Sequence, residues 1–295
     1  MPRLRLSDIE VHYQQSGQGP DVVLIHGFTS NLAMWAFSGI IEDLRSRFRV
    51  TAYDLRGHGL SSAPASRYTS ADMAADYKQL HAALSLGSAI VVGHSFGGVI
   101  GMHAAAVYPE TVAGVIVCDS YFPGLAHLEP SMPEAEVWQD LRRTLAQAAV
   151  EIGERVDFRR LIEAVANLTP SQTEQIKEAL GAPGARWLAQ LGSLVRTTAA
   201  EETFAVAGLS ADVIIAVQQP VVALYDEQSP FFATCRFLTE RLPRCKMDVI
   251  PGAAHLALLQ NPAGFVEAVG KHLDDMAQAA GTISRPQPAM QPLLG

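Results

Sequence analysis

The stretch VVGHSFGGVIG, Val91 to Gly101, limits what this chain can fold into more than any other. The β-branched run AIVVG must turn at once into FGGVIGMHAAA, whose glycines and alanines suit a helix packed closely on its neighbour. One serine, Ser95, stands at the turn between Gly93 and Gly97. Side chains two positions away on either side would collide across so sharp a turn, and glycine removes them. The strain holds the Ser95 hydroxyl out at the C-terminal edge of the strand, where open α/β sheets bind ligands. The same hydroxyl lies at a helix N-terminus, whose N–H groups favour developing negative charge.

The rest of the chain repeats this alternation. IEVHYQQSG is an alternating strand that ends in a Gly turn. DVVLIHG, FRVTAYD, AIVVGHS, VAGVIVCD, PVVALYD and CKMDVIPG follow, mostly as continuous apolar runs suited to central strands covered on both faces. Helices are expected at Ser70 to Leu86, with Ser70 as N-cap, at Phe96 to Tyr108, and from Pro262 to Met276. The predicted fold class is α/β, a mostly parallel central sheet with helices on both faces. Between Phe122 and Gln219 the alternation stops. Apolar positions recur there at helical spacing: Val137, Leu141, Leu145 and Ala148, then Phe158, Leu161, Ile162 and Val165, then RWLAQLGSLV. DVIIAV, Asp212 to Val217, reads equally as a short strand or a buried helical turn. We therefore expect a core of residues 1–121 and 220–280, with residues 122–219 as an inserted helical cap or lid over the strand ends. The tail from 281 to 295, rich in Pro, Gly and Ser, is expected to be poorly ordered.

Composition removes several function classes. Hydrophobic residues make up 48% of the 295, enough for a large core. Lys and Arg number 22 against 30 Asp and Glu, a net charge of −8 with no basic patch, which argues against nucleic acid. RLRL near the start and LRRTL from Leu141 read as helix-surface charge. Cys118, Cys235 and Cys245 show no metal-ligand spacing, so no metal is expected, and their scatter suits a reducing compartment. The N-terminal segment has no apolar signal core, and no apolar run reaches the length of about 18 residues needed for a membrane span. The expected localisation is cytoplasmic. No phosphate-binding or dinucleotide glycine motif follows a strand. A homodimer is one open assembly state.

Four ordered stretches resemble the α/β-hydrolase fold family, across about Ile9 to Leu273. GHSFGG is similar to its nucleophile elbow. LIHGFTSNLAMW is similar to its oxyanion loop, YDLRGHGLS to its DxRGxGxS stretch, and VIPGAAHLALLQNP to the segment that carries its catalytic histidine. The resemblance implies a Ser95 nucleophile, a His255 base late in the chain, and an oxyanion hole from the backbone N–H groups of Phe28 and Phe96. His26 would be structural, His58 would sit in a structural stretch, and His94 would point away from the site.

The acid departs from the commonest family pattern. In PVVALYDEQSP, the position that pattern gives to an aspartate is Ser229. Asp119, at the end of VIVCD, is the first candidate, as in some dehalogenases and lactonases of the family. Asp226 and Glu227 are the alternatives. No cofactor is implied. The expected activity is a serine hydrolase that cleaves an ester, lactone or thioester of a medium-sized hydrophobic molecule, with Phe122, Trp138 and Trp187 among the apolar residues facing it. Two rivals stand beside it: a cofactor-free dioxygenase or C–C bond hydrolase on the same scaffold, and a slowly turning-over ligand receptor.

Overall fold

In a computed structural model of the chain, residues 2–130 and 136–281 are described. The expectation for the tail beyond 281, and the side chain of Val137, lie outside the described residues. An eight-stranded sheet runs in the order β1-β2-β4-β3-β5-β6-β7-β8. Its strands are β1 (Arg3–Arg5), β2 (Glu10–Ser16), β3 (Asp21–Ile25), β4 (Arg49–Tyr53), β5 (Ala89–His94), β6 (Val112–Cys118), β7 (Val221–Asp226) and β8 (Cys245–Ile250). β1 pairs antiparallel with β2, and β2 with β4; every other pairing is parallel. β3, β5 and β7 are buried along their whole length, which is why they read as unbroken apolar runs. Each sheet face carries its own apolar layer. Ile25, Val91, Val115 and Tyr225 belong to one, Leu24, Val92, Ile116 and Leu224 to the other.

Helices α1 (Ala33–Phe37) and α2 (Ile40–Leu44) lead from β3 to β4, α3 (Ser70–Ala83) precedes β5, and α4 (Phe96–Val107) follows it. Between β6 and β7 come α5 (Glu136–Gln147), α6 (Phe158–Ala166), α7 (Pro170–Ser193), α8 (Ala199–Glu202) and α9 (Ala211–Ile215). α10 (Phe232–Arg241), α11 (Ala257–Gln260) and α12 (Pro262–Ala279) complete the chain as described.

Two details differ from the sequence expectations, and one alternative left open is resolved. RLRL is not helix-surface charge; it forms edge strand β1, where alternating arginines face water and Arg3 pairs with Glu10 across the ladder at 2.6 Å. The cap of α3 is Thr69, not Ser70. Thr69 and Asp72 form a reciprocal capping box, while Ser70 is buried against His103 Nδ1 at 2.9 Å. DVIIAV resolves as helix α9, capped by Ser210.

Parallel pairing from β3 to β8 brings the C-terminal ends of β3, β5, β6 and β8 to one edge. Segments far apart in sequence meet there.

Candidate active site

The turn after β5 is strained as the sequence requires. Ser95 has φ 52 and ψ −120, a region L-residues rarely enter. A methyl at Gly97 would lie 2.0 Å from the Ile25 carbonyl oxygen, and one at Gly93 would lie 2.3 Å from the Gly97 backbone. The Ser95 amide donates to the Cys118 carbonyl at 2.8 Å, tying the turn to β6.

Asp119 follows β6 and is 1% exposed. Its Oδ2 lies 2.7 Å from His255 Nδ1. Its Oδ1 accepts from the Asp226 amide at 3.2 Å, and its own amide donates to the Leu224 carbonyl at 3.0 Å. Asp119 has φ 46 and His255 φ 76, so all three residues that the sequence singles out occupy left-handed backbone. Strain of this kind persists only where the surroundings over-determine it. No hydrogen bond joins the Ser95 hydroxyl to His255 among the described residues. In sites without substrate, that bond is often long and closes when substrate binds.

His94 does not point clear of the site. Its Nε2–H donates to the His255 carbonyl at 2.7 Å, and the two rings stand 5.0 Å apart. Burial, with the nearby His255, pushes the His94 pKa down to about 4, so it stays neutral behind its neighbour. Phe231 meets the His255 ring edge-on at 5.3 Å. His94 was expected to point away, and Phe231 was not among the expected site residues. The signals were the His before the elbow serine and the FF pair that follows β7.

The loop after β3 runs against the elbow: a methyl at Gly27 would lie 3.0 Å from Ser95 Cβ. His26 is fully buried, donating from Nδ1 to the Gly27 carbonyl and accepting from the Leu55 amide at Nε2. His58 accepts from the Thr29 amide at 3.1 Å, and burial together with His26 depresses its pKa to about 3. Asp54 holds the loop's far end through the Leu32 amide at 2.8 Å. Both histidines are thus structural, as expected. Among the described residues, neither the Phe28 nor the Phe96 amide donates to a protein acceptor.

The other candidate acids serve the backbone. Asp226 Oδ2 accepts from the Ala257 amide at 3.0 Å and so holds the turn just after His255. Burial and the Asp119 charge raise its pKa to about 7. Glu227 accepts from the Gly252 amide at 2.9 Å, and the Ser229 hydroxyl accepts from the Phe231 amide at 3.0 Å.

Above this edge lies an aromatic cluster. The Phe28 ring contacts Phe158 at 5.4 Å and Phe204 at 5.8 Å, and the latter two stack at 5.1 Å. Beside it is a cavity of about 620 Å³, walled by Tyr121, Ile152, Val156, Phe158 and Phe204. The three apolar residues expected to face substrate do not line it. Phe122 is fully buried, Trp138 packs edge-on behind Phe158 at 5.8 Å, and Trp187 is half-buried in the inserted helices. Among the described residues no group of His, Cys, Asp and Glu is arranged to hold a metal. No helix among them is long and apolar enough to cross a membrane.

Known proteins are similar to this chain in sequence and fold. A family model described as alpha/beta hydrolase fold matches residues 20–262. A 2-(acetamidomethylene)succinate hydrolase of Mesorhizobium japonicum is 30% identical over 92% of this chain and 94% of its own. A pimeloyl-[acyl-carrier protein] methyl ester esterase of Chromobacterium violaceum is 33% identical over 88% of this chain and 97% of its own. The solved structure of an E-2-(acetamidomethylene)succinate hydrolase superposes with a TM-score of 0.59 at 26% identity, covering 92% of this chain and 98% of that one.

Proposed function

Because this chain belongs to the alpha/beta-hydrolase fold family and is an enzyme of the hydrolase class, we propose that it cleaves an ester, lactone or thioester bond of a small, largely hydrophobic molecule through Ser95, His255 and Asp119. The observation that carries this reading is the 2.7 Å contact between His255 Nδ1 and Asp119 Oδ2, at the same sheet edge as the strained Ser95 turn.

Asp119 accepts a hydrogen bond from His255 Nδ1–H, which keeps the proton on Nδ1 and leaves Nε2 free to take a proton from Ser95. The Ser95 oxygen attacks the carbonyl carbon. The Phe28 and Phe96 amides receive the oxyanion, and each is worth about 3 kcal/mol of barrier. The imidazolium then returns its proton to the leaving alcohol or thiol. Water, activated by the same imidazole, hydrolyses the acyl-enzyme. Residues 1–121 and 220–280 supply this machinery, and residues 122–219 cover it as a lid that excludes water and selects substrate. Phe122, Trp138 and Trp187 shape that lid from behind its inner surface. A relative named for hydrolysing an acetamidomethylene succinate and another named as a methyl ester esterase support acyl transfer to water.

A panel of p-nitrophenyl esters of graded chain length, lactones and acyl thioesters tests the reading. We expect turnover that Ser95→Ala abolishes. Turnover undiminished in Ser95→Ala would overturn the proposal.

A further inference from the structure

The 620 Å³ cavity is apolar on its walls but not at its rim. Arg155, Arg159 and Arg160 line it together with the aromatic wall. Arg159 is engaged by Glu163 at 3.1 Å and Glu201 at 3.5 Å. Among the described residues, Arg155 and Arg160 form no ion pair, although the chain as a whole carries a net charge of −8. Two carboxylates, Glu154 and Asp157, share this lining, and neither pairs with Arg155 or with the Arg160 guanidinium. Asp157 accepts from the Arg160 amide as the cap of α6, and Glu154 lies 3.9 Å from Arg142. The Tyr121 hydroxyl, also on the wall, has no protein partner among the described residues.

The cavity is linked to the site on two sides through aromatic rings of its lining. Tyr121 packs on Phe231 at 5.7 Å, and Phe231 packs on His255. On the other side, Phe158 and Phe204 pack on Phe28, the residue proposed above to supply an oxyanion-hole amide. An acyl chain whose carbonyl oxygen sits at that amide would leave along the Phe28 ring and enter this space. Its methylene stem would meet aromatic faces, and its far end would meet two guanidinium groups. A planar guanidinium binds a carboxylate through paired, charge-assisted hydrogen bonds.

Resting on the hydrolase reading, we infer that Arg155 and Arg160 form a carboxylate-binding subsite and that the preferred substrate carries an acyl chain ending in a carboxylate. This narrows the hydrophobic substrate expected from sequence to one with an apolar stem and an anionic end.

The test compares p-nitrophenyl hydrogen glutarate with neutral p-nitrophenyl valerate, in the wild type and in an Arg155→Gln/Arg160→Gln double variant. Two charge-assisted contacts predict a wild-type kcat/KM at least about ten-fold higher for the anionic ester. The double variant should lose that preference, mainly through KM, while the valerate rate changes less than about two-fold, which also shows that the variant folds. A wild type that prefers valerate, or a double variant that slows both esters equally, would overturn the subsite. Calorimetric titration of glutarate into Ser95→Ala separates this proposal from the chemistry it rests on. Binding that the two Arg→Gln changes remove keeps the subsite even if no ester is turned over. Absence of glutarate binding sinks it even if valerate is hydrolysed.

Discussion

His255 Nδ1 lies 2.7 Å from Asp119 Oδ2 across 136 residues of sequence, and both residues hold left-handed backbone to do so. Neither is glycine, so the conformation costs about 1–3 kcal/mol at each position and is sustained by its surroundings. Those surroundings are specific. The Asp226 amide and the Leu224 carbonyl fix Asp119, while His94 and Asp226 hold the His255 turn from two sides.

If Asp119 is the acid, Asp119→Asn lowers kcat by about three to four orders of magnitude, because the imidazole loses the partner that fixes its tautomer. Glu227→Gln removes only a bond to the Gly252 amide and changes kcat by a few-fold at most. Steady-state kinetics on one ester measures both. The opposite ranking would move the acid to the loop after β7.

Asp226 predicts a pH effect on stability. Its folded pKa of about 7 stands above the ordinary value of 3.8, so between those values the folded state holds a proton that the unfolded chain has released. Stability therefore falls as pH rises through that window. Asp226→Asn cannot ionise, and its amide oxygen can still accept from Ala257. Urea titrations from pH 4 to 8 should show the variant gaining stability relative to wild type as pH rises. A constant difference across the range would contradict this.

Gly97→Ala should unfold the protein or cost about 3 kcal/mol or more, since the new methyl would meet the Ile25 carbonyl oxygen at 2.0 Å on a strand buried throughout. Thermal melts followed by circular dichroism read this directly. Gly192→Ala, in open space on α7, serves as the control and should be nearly neutral.

The buried Arg56–Asp76 pair, with contacts of 2.7 and 2.6 Å, anchors the loop after β4. Arg56→Ala leaves the Asp76 carboxylate buried without its partner and should cost about 3–5 kcal/mol, measured by urea unfolding. The double variant Arg56→Ala/Asp76→Ala should recover part of that loss.

Much of the fold was legible because the central strands are buried on both faces and must be apolar throughout. All seven strands from β2 to β8 fall within runs that stand out in the sequence. β1 did not, since an edge strand of three residues with outward arginines has no apolar signature. The elbow was legible because strain demands glycine at Gly93 and Gly97. The acid was ambiguous because Asp119, Asp226 and Glu227 all follow strands that end at one edge. Only side-chain direction separates the one that meets an imidazole nitrogen from the two that hold amides. The cavity was not legible. Phe158 reads as helix core by its spacing, yet its ring also faces Phe28 from another part of the fold. Arg155 and Arg160 carry no sequence signal until the fold sets them at its rim.

Reaction with a fluorophosphonate, followed by mass spectrometry of the digested protein, tests whether Ser95 is an activated nucleophile. One adduct is expected, on the peptide that carries Ser95. It should be absent in Ser95→Ala and form about a hundred-fold or more slowly in His255→Ala, since the hydroxyl is a poor nucleophile without its base. A wild-type protein that resists the reagent, or an adduct elsewhere that survives Ser95→Ala, would contradict that role for Ser95.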